Sequence, residues 1–76
     1  MSADELKKLL NARPFRPFTV FMPNDKSFRI PHSEFVLLTP TGRTMIVSQA
    51  NSDAVDILDV PLITGIEVEA AKRKDS

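Results

Sequence analysis

Arg13-Pro14-Phe15-Arg16-Pro17-Phe18, running on into Thr19-Val20-Phe21-Met22, marks where a helix gives way to a sheet. Pro14 and Pro17 each lack an amide donor and restrict the residue before them, so no helix passes through this segment. The residues after Pro17 alternate. Phe18, Val20 and Met22 point one way, and Thr19 and Phe21 the other, which is the period of a half-buried strand. The two prolines therefore stop a helix and launch a sheet.

Upstream, residues 1–11 read as that helix. Ser2 and Glu5 have the spacing of a capping box, with Met1 and Leu6 at the two hydrophobic-staple positions. Leu6, Leu9 and Leu10 share one face at i, i+3 and i+4. A helix this short is marginal alone, so the leucine face must dock on the sheet.

Downstream, the chain reads as five or six short strands in succession. Pro23-Asn24-Asp25-Lys26 is a turn in which Asn or Asp tolerates the left-handed region. Ser27–Ile30 is the second strand, with Phe28 and Ile30 inward, and Pro31 ends it. Glu34–Thr39 reads as a third strand. Its run Phe35-Val36-Leu37-Leu38 is apolar on both faces, the pattern of a central strand covered on each side. Pro40-Thr41-Gly42 is a turn with Gly42 at the position needing positive φ. Arg43–Ser48 is the fourth strand, with Met45 and Val47 opposite Thr44, Ile46 and Ser48. A fifth begins near Val55, Pro61 interrupts it, and Ile66–Glu69 closes the set. The expectation is an α+β fold: one N-terminal helix packed on a strongly bent antiparallel sheet, Sm-like or a small barrel. Residues 1–71 form a single domain, and 72–76 a frayed charged tail.

Composition bounds the function. The 76 residues contain no cysteine, so the chain has neither disulfides nor thiolate ligands. That pattern favours a reducing, cytoplasmic setting. No apolar run approaches the ~20 residues of a membrane span. The acids Asp4 and Glu5 near the start are unlike a signal peptide. Formal net charge is zero but unevenly spread. Residues 1–45 carry seven Lys/Arg against four Asp/Glu, residues 46–71 five acids and no base, and residues 72–76 three bases and one acid. Such segregation favours self-association over a global attraction for nucleic acid.

Reaction chemistry lacks its parts. His32 is the one histidine. Its neighbours Ser33 and Glu34 do not make a triad, because adjacent residues in extended chain point apart. Asp53, Asp56 and Asp59 lack the alternating spacing and glycine bend of a calcium loop. Gly42 and Gly65 are the two glycines, too few for a phosphate-cradling loop. The chain therefore reads as non-enzymatic, with no catalytic residue, metal, cofactor or small-molecule substrate implied.

Two resemblances come with these residues. Ala12-Arg13-Pro14-Phe15-Arg16-Pro17-Phe18, then Pro31-His32, the Gly42 turn and Ile66-Glu67-Val68, resembles a group of short uncharacterised bacterial proteins with a Pro-Phe-x-Pro-Phe element, and implies no activity. The order of one short helix and then five short strands is similar to the Sm-like fold, which includes the bacterial RNA chaperone Hfq. That resemblance implies ring assembly by edge-strand pairing and RNA binding. The Tyr-Lys-His element of Hfq is missing, and residues 46–71 hold no base.

Two functions are therefore expected. The first is protein–protein interaction or homo-oligomerisation through exposed strand edges, with Phe15, Arg16 and Phe21 as contact residues. The alternative is Sm-like RNA binding by Arg13, Arg16, Arg29 and Arg43, with Phe15 interleaved among cations in the manner of a stacking platform.

Overall fold

The break at Pro14 and Pro17 separates α1 (Ala3–Asn11) from β1 (Phe18–Met22). The computed structural model describes residues 3–49 and 51–70. The proposed cap and staple at Met1 and Ser2, and the proposed tail, lie outside the described residues. The remaining elements are β2 (Lys26–Ile30), β3 (Val36–Leu38), β4 (Thr44–Ser48), β5 (Val55–Asp59) and β6 (Gly65–Val68). Short 3₁₀ turns occupy Ser33–Phe35 and Val60–Leu62.

The chain is α+β, as expected, but its six strands form two three-stranded antiparallel sheets rather than one bent sheet. Their orders are β2-β1-β6 and β3-β4-β5. The division falls at Pro31. Proline ends β2, and the 3₁₀ turn at Ser33–Phe35 redirects the chain before β3 begins. That turn also consumes the first part of the expected third strand, leaving Val36–Leu38. The central strands are β1 and β4, and β3 is an edge. The doubly apolar run at Phe35–Leu38 thus marks an edge strand with one uncovered face.

Both sheets contribute to one core. Phe18, Val20 and Ile30 come from the first sheet, Met45, Val47 and Leu58 from the second, and Leu6 from α1. Val60 and Ile63 fill the corner between β5 and β6. Leu9 and Leu10 pack at the margin, so the leucine stripe does close over the strands. Register explains why these residues meet. Phe18 lies opposite both Ile30 and Val68, and Met45 lies between Leu38 and Leu58. Among the described residues no polar or charged side chain is buried.

Two turns satisfy their backbone demands by residue choice. Asn24 (φ 67°) and Asp25 (φ 61°) hold the left-handed pair of the β1–β2 hairpin. Gly42 (φ 74°) does the same before β4, and a Cβ there would overlap the Ala3 side chain. The 3₁₀ turn at Val60–Leu62 then carries the chain from one sheet to the other. Val60 N–H donates to the Arg43 carbonyl at 2.8 Å, and Thr64 N–H to the Phe21 carbonyl at 2.8 Å. Among the described residues no helix is long and apolar enough to cross a membrane.

Candidate functional site

The proline segment does more than end a helix. Pro14, Phe15, Arg16 and Pro17 form one wall of a cleft of about 500 Å³. Pro31 and His32 line the opposite side, with Arg29, Glu69 and Ala70 also in its lining. The segment lies outside both sheets, and Pro14 and Arg16 on this wall are exposed. The Arg13–Pro14 peptide is cis. Phe15 is half-buried, its ring 6.0 Å from that of Phe18, so it both anchors the segment to the core and faces the cleft.

Charge is organised around Glu69. Arg29 grips its carboxylate through two bonds, Nε–Oε2 at 2.6 Å and Nη2–Oε1 at 3.1 Å. That hydrogen bond, and then the charge attraction, hold the Arg29 guanidinium pKa above its usual value. The pair is exposed, so it contributes orientation more than stability. Arg16 donates Nε to the Glu69 backbone carbonyl at 3.1 Å. Glu69 in turn is tied down by its N–H, which donates to the Pro17 carbonyl at 2.9 Å.

The structure therefore brings Phe15, Arg16 and Arg29 together and leaves the other expected residues elsewhere. Arg13 donates Nη1 to the Ala12 carbonyl at 3.0 Å and does not line the cleft. Arg43 is exposed at the start of β4 and is also absent from it. Phe21 lies on the outer face of the β2-β1-β6 sheet, 38% exposed, opposite Ser27 and Gly65. His32 has its ring 6.1 Å from that of Phe35, and its carbonyl accepts the Phe35 N–H at 3.1 Å. Ser33 lies in the 3₁₀ turn beside it. Among the described residues no three His, Cys, Asp or Glu side chains cluster as metal ligands.

A second surface lies on the other sheet. Leu37, Ile46 and Ile57 are directly opposite one another across β3, β4 and β5. All three point away from the core, and Leu37 and Ile57 are 62% and 69% exposed. Val55 extends the row at 54% exposed. A shallow groove of about 250 Å³ runs beside it, lined by Phe35, Leu37, Ile46 and Ser48 among others. Asp59 is the one charged side chain at the outward positions of these strands.

Sequence periodicity alone does not reveal this face. Val55 and Ile57 alternate as a core strand would, but Leu58 is the β5 residue turned inward. The Arg29–Glu69 pair is equally invisible in sequence, since its partners lie forty residues apart and meet only across the sheet. No protein-family model, no curated protein and no solved structure matches this chain.

Proposed function

We propose that the domain is a non-enzymatic, self-associating protein module whose contact surface is the outer face of β3-β4-β5. One observation carries this reading: the cross-strand row Leu37–Ile46–Ile57, with Val55 beside it, is apolar and largely exposed. Contiguous apolar patches of this kind mark interaction sites on soluble proteins. A second copy is the occupant the shape favours. The face offers a ridge, Val55 and Ile57, and a groove between Phe35, Leu37, Ile46 and Ser48. A two-fold contact seats each ridge in the other copy's groove, as an isologous interface requires. The outward strand positions carry one charge, Asp59, and the groove lining adds Glu34, so the contact sets few like charges against one another. We favour this surface over the expected Phe15, Arg16 and Phe21 because it offers more exposed apolar area: Phe21 exposes far less of its side chain than Ile57.

Light scattering after gel filtration tests the proposal. Mass should rise from one copy to two as concentration increases into the high micromolar range. A strict monomer throughout would contradict it.

The finer architecture belongs to the same proposal. The order β6-β1-β2, continued through the Pro31–Phe35 bend into β3-β4-β5, supports reading the two sheets as halves of one small open barrel of Sm-like type. This strand order is also what favours RNA binding as the second reading. It ranks lower because Arg29 is engaged by Glu69 and neither Arg13 nor Arg43 joins Arg16 at the cleft. RNA titrated at low and high salt separates the two. Affinity that falls with salt and with Arg16→Ala would favour RNA; the dimer reading predicts neither.

A further inference from the structure

We propose that the cleft between the Pro14–Pro17 segment and Pro31–His32 binds a small monocarboxylate with an apolar body. Its volume, about 500 Å³, is within the range of small-molecule sites. Pro14, Pro17 and Pro31 supply pyrrolidine surfaces and Phe15 a ring face. These groups have few rotamers to lose, so binding immobilises little that is not already fixed.

Charge selects the other half of the ligand. The lining sets Arg16 and Arg29 against the one carboxylate of Glu69, an excess of guanidinium over carboxylate. The Arg29 fork is already used on Glu69. Arg16 is different. Its Nε is pinned to the Glu69 carbonyl, and its two Nη groups have no protein partner among the described residues. A guanidinium whose Nη1/Nη2 edge is available matches the two oxygens of a carboxylate. A phosphate dianion carries more charge than this one guanidinium offsets and gains nothing from the proline walls. A neutral hydrocarbon leaves Arg16 unused. The outer face of β3-β4-β5 contributes no residue to this cleft, so the site stands whether or not the chain dimerises.

The test is an amide-shift titration of the ¹⁵N-labelled full chain with 1-naphthylacetate. Saturable shifts are expected at Phe15, Arg16, Arg29, His32 and Glu69, with a Kd on the order of 1 mM. The neutral analogue 2-(1-naphthyl)ethanol should bind about tenfold more weakly to the unaltered protein. Arg16→Gln should weaken naphthylacetate by about tenfold while the rest of the spectrum stays in place, and Arg16→Lys should fall between. Inorganic phosphate at 10 mM should leave these amides unmoved. The proposal fails if the alcohol binds as tightly as the acid, or if phosphate shifts the same amides. It also fails if Arg16→Gln binds unchanged, or if the shifts fall on Leu37, Ile46 and Ile57 instead.

Discussion

Replacing Ile57 with lysine separates assembly from folding. Ile57 is 69% exposed on the edge strand β5, so the single copy loses little by the change. The expected cost to folding is below about 1 kcal/mol, the span of strand propensity, and lysine suits a strand edge. In the dimer the same side chain enters the partner's groove. Burying a whole isoleucine side chain is worth about 1.5–3 kcal/mol, and about two thirds of Ile57 remains to be covered. That gives about 1–2 kcal/mol per copy and about 2–4 per dimer, since the substitution occurs twice. The dimer Kd should therefore rise about 30- to 1000-fold. Sedimentation velocity from 5 to about 500 μM, paired with urea unfolding of the same samples, measures both quantities. A variant that dimerises as the parent does would rule Ile57 out of the contact surface. So would one that unfolds more than about 2 kcal/mol more easily, which would make Ile57 part of the core.

Three substitutions test the fold beneath this surface. Leu6→Ala removes a side chain with no exposed area and should lower the unfolding free energy by about 2–5 kcal/mol, read from the urea midpoint. Against a total of about 4–11 kcal/mol for a chain of this size, that unfolds the domain in the weakest case. Gly42→Ala should lower stability by about 2 kcal/mol or more in the same assay, because φ is positive there and the new Cβ meets Ala3. Asp25→Gly should raise the melting temperature slightly, by an amount corresponding to about 0.5 kcal/mol. Relief of the left-handed strain at φ 61° outweighs the entropy glycine adds to the unfolded chain.

Local features of the chain are legible without coordinates. Pro14 and Pro17 mark the helix–strand boundary because proline acts through its own ring and missing donor. The Asn24-Asp25 hairpin and the Gly42 turn arise from which residues accept positive φ. Alternation places Phe18, Val20, Phe28, Ile30, Met45 and Val47 on their correct faces. Alternation does not say whether a face is covered. Leu37 and Ile57 sit in patterns typical of buried strands, yet among the described residues nothing lies over them. Nor does it say which strands pair. Whether β2 runs on into β3 depends on the 3₁₀ turn at Ser33–Phe35, whose residues carry no strong turn signature. The cleft is half legible. Phe15 and Arg16 stand out as neighbours in an extended segment, whereas Glu69 enters only because β6 returns beside β1.

Intermolecular nuclear Overhauser effects in a mixture of labelled and unlabelled chain bear most directly on the self-association surface. At concentrations where mass doubles, the Ile57 methyls of one copy should contact the Leu37 methyls and Phe35 ring of the other. Cross-peaks confined to Phe15, Phe21 or the edge of β2, or none at all in a sample that scatters as a dimer, would contradict the account.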